Sequence, residues 1–332
     1  MGRESLTSIP TIDMEDFDAA GVRREEFTST TMAAMHDIGF AFLRTPDYIN
    51  EGLPRMYRVL EKLFDLPEDV KAGYERKDIH HQRGYTPLGT ETGIQCRAIG
   101  PGGSDIPNFA ENWFIGPDFA PDSPQVINYP AFNAPNIWPE EVPELEEAIK
   151  PVYDGLYLMG RTVLRALEKP LDKEYGFFDD LVDGSPTSFR PLHYPSVSEI
   201  DAPNTIGACQ HTDINLLTVL PAPTREGLWV KTRAGLWVSG KAPKGYLIVQ
   251  VGDMLQRITG GHFLSAQHKV KAPLMQTVED KGRYSSALFV HAASDAPLEV
   301  IEKLTDNPDD FPTISAAEFL IQRLREIGLA NI

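Results

Sequence analysis

Gln210-His211-Thr212-Asp213-Ile214-Asn215-Leu216-Leu217-Thr218-Val219-Leu220 joins a metal-capable pair to a short apolar run. In an extended chain, side chains two apart share a face, so the His211 imidazole and the Asp213 carboxylate can converge on one ion while Thr212 turns away. A lone His-x-Asp is common and is more often a surface pair than a metal site. It gains meaning only if a third ligand arrives from elsewhere.

Working outward, short β-rich runs fill residues 188–194, 215–220, 228–232, 236–239, 246–251, 266–270 and 284–291, separated by Gly, Pro and Asp turns. Many short strands at such spacing predict a closed or sandwiched antiparallel architecture such as a jelly roll. The N-terminal half reads differently. Leu53, Met56, Leu60 and Leu63 recur at helical spacing, and Leu145, Ile149, Val152, Leu156, Met159, Val163 and Leu167 form one stripe of a long helix carrying Pro151 near its start. Residues 38–43 read as a strand. Residues 83–139 break into Gly- and Pro-rich text with embedded aromatics, suited either to a lid or pocket wall or to plain surface loop. Helical spacing returns at 315–327, with Ser315 and Glu318 in the capping-box pattern.

The third ligand candidate is His268, inside Ser265-Ala266-Gln267-His268-Lys269-Val270. Two imidazoles and one carboxylate on one face leave octahedral positions open, the arrangement a non-haem Fe(II) oxygenase needs to bind a co-substrate and O2 together. His262 lies in a Gly-Gly-His-Phe turn and reads as a loop residue; Asp253 and Gln267 read as hydrogen-bonding support. Farther on, Arg283-Tyr284-Ser285 again places two polar groups on one face, where guanidinium and hydroxyl can grip a carboxylate. Taken alone, that pair would be an exposed Arg and Ser on an edge strand. A charge balance favours the gripping role: Fe(II) with one Asp carries a net charge of about +1, and a bound dicarboxylate would leave a buried site negative unless a cation such as Arg283 stood near.

Composition narrows the classes. The 332 residues are 42% hydrophobic and 24% charged, ordinary for a globular protein. The net charge of −17 disfavours nucleic acid and anionic lipid as partners. No basic, apolar leader and no spanning segment is visible, and Cys96 and Cys209 are too few for a disulfide framework. The expectation is a cytoplasmic protein, monomer or homodimer, acting on a small molecule without nucleic acid or membrane.

These motifs, in this order, resemble the isopenicillin N synthase-like group of Fe(II)/2-oxoglutarate dioxygenases. Ile9-Pro10-Thr11-Ile12-Asp13 with Gly39-Phe40 is similar to the family's opening, and Arg83-Gly84-Tyr85-Thr86-Pro87-Leu88-Gly89 to its next signature. The resemblance implies an α+β fold with a double-stranded β-helix (jelly roll) core, flanking helices from the N-terminal half and a C-terminal helix. Its expected divisions are an N-terminal helical and loop region (1–140), a long helix plus core (141–300) and a C-terminal extension (301–332). It further implies that His211, Asp213 and His268 hold Fe(II), and that Arg283, Ser285 and Tyr194 hold the far carboxylate of 2-oxoglutarate. Leu192 stands where the family's Asn-x-Tyr pattern has Asn. The implied reaction consumes O2, decarboxylates 2-oxoglutarate to succinate, and hydroxylates, desaturates or cyclises a small organic substrate. The alternative is an oxidase of the namesake's type, which binds the same iron without 2-oxoglutarate. Arg97, Asn108, Trp113, Phe114, Gln210, Phe289 and His291 are the candidate substrate-pocket residues.

Overall fold

Two sheets face each other, and their strands alternate along the chain. The computed structural model describes residues 8–18, 21–91, 106–198, 205–277 and 279–326. Its strands are β1 (Thr11–Ile12), β2 (Phe40–Arg44), β3 (Gly84–Thr86), β4 (Glu111–Phe114), β5 (Ser188–Tyr194), β6 (Ile206–His211), β7 (Leu217–Leu220), β8 (Leu228–Lys231), β9 (Trp237–Ser239), β10 (Tyr246–Val251), β11 (His268–Lys271) and β12 (Arg283–Val290). One sheet has the order β1-β2-β10-β7-β12-β5-β4-β3, the other β6-β11-β8-β9. Strands β5 to β12 thus divide four and four between the sheets, a jelly roll, and the N-terminal half lengthens the larger sheet at both ends.

The long helix Leu145–Glu168 backs the larger sheet. Its buried positions Leu145, Ile149, Val152, Leu156, Met159, Val163 and Leu167 follow the sequence stripe. Burying each such side chain contributes roughly 1.5–3 kcal/mol relative to exposure. Gly160 lets this helix lie close on β12: a Cβ there would stand 2.8 Å from a Val290 methyl. The earlier helix Asp47–Phe64, whose buried face includes Leu53, Met56, Leu60 and Leu63, packs against it. At the other end, helix Ala316–Glu326 is capped reciprocally, Ser315 Oγ accepting from Glu318 N at 3.3 Å and donating to Glu318 Oε2 at 2.9 Å. No helix among the described residues is long and apolar enough to cross a membrane.

The structure departs from the sequence reading in two places. The stretch 83–139 contains β3 and β4, the latter pairing with β5 through Glu111↔His193 and Asn112↔Leu192. All four residues of β4 are buried, so it lacks the alternation that announces a half-buried strand. Helix Val22–Asp37 was not foreseen either; its buried side is built largely from Thr31, Ala33, Ala34 and Asp37, which barely stand out from a polar helix.

Candidate metal and co-substrate site

The smaller sheet delivers two imidazoles to one point. His211 ends β6, His268 begins β11, and the two are register partners, with ring centroids 4.2 Å apart. Asp213 follows in the turn before β7, its Oδ1 at 3.7 Å from His211 Nε2 and 3.5 Å from His268 Nε2. One ligand atom from each residue lies within 4.8 Å of the others.

Every other polar atom of the three side chains is tied back. His211 Nδ1 donates to the Cys209 carbonyl at 2.6 Å and His268 Nδ1 to the Ala266 carbonyl at 3.3 Å. A carbonyl can only accept, so the proton sits on Nδ1 and the Nε2 lone pairs face inward. Burial, with His211 beside it, pushes the His268 pKa down to about 4 and keeps the ring neutral. Asp213 Oδ2 accepts from Thr218 Oγ1 at 2.5 Å and from Gln250 Nε2, leaving Oδ1 for an ion. Thr212 does turn away, donating to Asp253 Oδ2 at 3.1 Å; the same carboxylate accepts from Ser265 Oγ at 2.6 Å and pairs with Arg323 of the C-terminal helix at 3.2 Å. Two nitrogens, one oxygen and no thiolate suit Fe(II) with coordination positions to spare. Such backing of ligands by outer partners fixes their direction.

The larger sheet supplies a buried cation across the same cavity. Arg283 opens β12 opposite Tyr194, and Gly282 makes that start possible: its φ is +97° and a Cβ would stand 2.1 Å from the Tyr194 carbonyl. The Arg283 guanidinium is 1% exposed, lies 4.9 Å over the Tyr194 ring and spends Nε on the Arg225 carbonyl at 2.9 Å. Its Nη1 has no partner among the described residues. Ser285 shares this face, opposite Leu192. Burial raises the Tyr194 pKa and Arg283 lowers it, with a net rise that keeps the phenol protonated as a donor. A buried guanidinium with an unmet nitrogen is costly unless an anion joins it.

The cavity between the sheets is lined by these residues together with Asn108, Phe289, Arg190, Glu91, Thr218 and Gln250. Of the substrate candidates, Asn108 and Phe289 therefore stand on its wall. Trp113 does not: it is a core residue between the rings of Tyr74 and Tyr85. Phe114 is buried behind the wall, with the Arg190 guanidinium 5.2 Å over its ring. Gln210 is turned off the wall because it alternates with the inward-facing His211, and the irregular β6–β11 ladder between His211↔His268 and Ala208↔Val270 lets Ala208, three before His211, face inward as well. His291 is buried outside the lining, its pKa lowered to about 4 by burial. Arg97 lies outside the described residues. Thr218, Gln250, Arg190 and Glu91 were missed because none belongs to a motif; only the fold brings them in. Cys209, two residues before His211, takes part in a disulfide bond, and Cys96 lies outside the described residues.

Known proteins match this architecture along most of the chain. Residues 9–141 match the profile of the N-terminal region of non-haem dioxygenases in morphine synthesis, and residues 187–292 that of the 2OG-Fe(II) oxygenase superfamily. The chain is 29% identical to a 2-oxoglutarate-Fe(II) type oxidoreductase of Aspergillus fumigatus, over 82% of this chain and 78% of that one. It is 27% identical to kihadalactone A synthase of Citrus sinensis, over 98% and 96%. A solved structure assigned to the 2OG-Fe(II) oxygenase family, from Caulobacter crescentus, superposes with a TM-score of 0.81 at 31% identity, covering 97% of this chain and all of that one. The chain belongs to the 2OG-Fe(II) oxygenase superfamily and is an oxidoreductase that uses Fe(II), 2-oxoglutarate and O2 on a small organic molecule.

Proposed function

We propose that His211, Asp213 and His268 are the iron ligands of this oxygenase, and that Arg283, Ser285 and Tyr194 hold the far carboxylate of 2-oxoglutarate. The observation that carries this reading is the orientation of the triad: Nε2, Oδ1 and Nε2 converge while Nδ1, Oδ2 and Nδ1 are bonded elsewhere. The unmet Nη1 of Arg283 supports the second half. Bound together, iron, 2-oxoglutarate and O2 supply an oxidant able to take a hydrogen atom from carbon, with succinate and CO2 as the co-products.

The chain's own residues set what that oxidant reaches. Arg283 neutralises the carboxylate, Ser285 and Tyr194 fix its direction by hydrogen bonds, and Leu192 contributes apolar surface in place of a polar contact. Thr218 and Gln250 keep Asp213 from turning. Asn108 and Phe289 form substrate wall, and the carbon they present selects among hydroxylation, desaturation and ring closure. The same reading has the protein working in the cytoplasm as a monomer or homodimer; the net charge of −17 supports a small-molecule partner over nucleic acid.

The test is anaerobic. Fe(II) followed by 2-oxoglutarate should give the weak visible charge-transfer band of a chelated keto acid, and the band should be lost in His268→Ala and Arg283→Ala. A band that survives in Arg283→Ala would mean that another cation holds the far carboxylate, and a band that survives in His268→Ala would remove His268 from the ligand set.

A further inference from the structure

A second, largely buried charge pair stands in the same cavity, away from the co-substrate arm. Arg190 projects from β5 on the face shared by Leu192 and Tyr194, four residues from Tyr194, which is roughly 13 Å along a strand. Its Nη2 donates to Glu91 Oε2 at 2.5 Å; the side chains are 18% and 13% exposed and 99 residues apart in sequence. A guanidinium edge offers two parallel donors that match both oxygens of a carboxylate. Here only one contact forms. Arg190 Nε and Glu91 Oε1 are both buried without a partner among the described residues, so this cavity-lining pair keeps one unmet donor and one unmet acceptor.

Position ties this pair to the substrate. In the larger sheet β12 lies between β5 and β7, so Arg190 is on one flank of β12 and Thr218, which holds Asp213, is on the other. Two strand spacings, about 10 Å, separate those flanks, the span of a small molecule. A group held by Arg190 and Glu91 can therefore reach across β12 toward the triad without occupying the Arg283 arm. Asn108 adjoins the pair, its backbone N–H donating to the Glu91 carbonyl at 2.8 Å and its Oδ1 accepting from Cys209 N at 2.8 Å, which turns its amide N–H2 to the other side.

We propose that Arg190 and Glu91 are the specificity-determining residues of this oxygenase, and that they recognise a neutral amide or lactam edge in the substrate. The substrate carbonyl accepts from Arg190 Nε–H and its N–H donates to Glu91 Oε1. The pair is already charge-neutral, so a neutral ligand satisfies both open atoms, whereas a carboxylate would have to displace Glu91 from Arg190. This rests on the iron and 2-oxoglutarate reading above.

The experiment uses the full chain, anaerobic, with Fe(II) and 2-oxoglutarate bound, and follows the charge-transfer band and the heat of binding on adding 2-piperidone, cyclohexanone or cyclohexanecarboxylate. Saturable binding by 2-piperidone that perturbs the band, at least tenfold tighter than cyclohexanone, is the expected result. In Glu91→Gln the advantage of the lactam over the ketone should disappear. Tighter binding of the carboxylate, equal binding of lactam and ketone, or no binding of any of the three overturns the proposal, and these outcomes need only the unaltered protein. Absence of the band before any probe is added defeats the cofactor reading instead, and this inference with it.

Discussion

The two faces of β5 carry buried charge in opposite ways. On the outer face, Glu111 accepts from Lys71 Nζ at 2.6 Å, from Tyr85 O–H at 2.5 Å and bonds His193 Nδ1 at 2.7 Å; His193 Nε2 meets the Lys281 carbonyl at 2.6 Å and its ring stacks on Tyr284 at 4.7 Å. On the cavity face, Arg283 Nη1, Arg190 Nε and Glu91 Oε1 are unmet. Both sets are largely removed from water and both are charged. Saturation separates them: a closed network holds the fold together, and an open one waits for a ligand.

The sharpest way to break the cavity side is at the triad. His268→Ala should lower succinate formation by about 10³-fold or more, since metal-assisted chemistry loses its ion, with iron content measured alongside. On the outer face the loss should appear in stability instead. Glu111→Ala leaves His193 without its carboxylate and the buried Lys71 with only Glu68, at 3.1 Å, and should cost about 3 kcal/mol in denaturant unfolding. Burial raises the Glu111 pKa, but hydrogen bonds from His193, Lys71 and Tyr85 outweigh it and hold the carboxyl below its ordinary value near 4.5. Its stabilisation is therefore complete above about pH 5 and is lost as pH falls below the ordinary value through the lowered one. A Glu111→Gln variant should show a flatter acid limb in stability against pH.

Arg283→Ala tests the contrast directly. It should weaken 2-oxoglutarate binding by about 100-fold, as expected for a lost charge-assisted pair, while unfolding free energy changes by only about 1–2 kcal/mol, the worth of its hydrogen bond to Arg225 and its contact with the Tyr194 ring. A stability loss as large as that of Glu111→Ala would sink the distinction between the faces. The smallest effect is expected behind the ligands: Gln250→Leu should weaken iron affinity by about 10-fold, within the range for outer partners of a metal ligand, read by titration with Fe(II) under argon.

Local pattern made the architecture legible, and long-range contact hid the rest. The helix Leu145–Glu168 and the strands of the jelly roll carry their own periodicity, and His211, Asp213, His268 and Arg283 sit in motifs of fixed spacing. Glu91 and Arg190 carry no such signal, because each is an ordinary charged residue until β5 is placed beside the segment holding Glu91. Gln210 shows the complementary failure: alternation from His211 puts it on the opposite face, whereas Ala208 reaches the cavity through a ladder irregularity that the sequence does not announce. Trp113 was drawn toward the pocket by its chemistry alone, yet an indole in a fully buried strand packs where its area counts most.

Asp253 gathers Thr212, Ser265 and, from the last helix, Arg323. Seen in order of synthesis, the turn bearing His211 and Asp213 is made about 110 residues before its distal brace Arg323. At about 5–20 residues per second, a nascent chain spends several seconds with both jelly-roll sheets emerging and that brace still missing. Until Arg323 joins, Asp253 is held to the turn through Thr212 and Ser265 alone, so an ion bound there in that interval would sit on a less braced turn than one bound later.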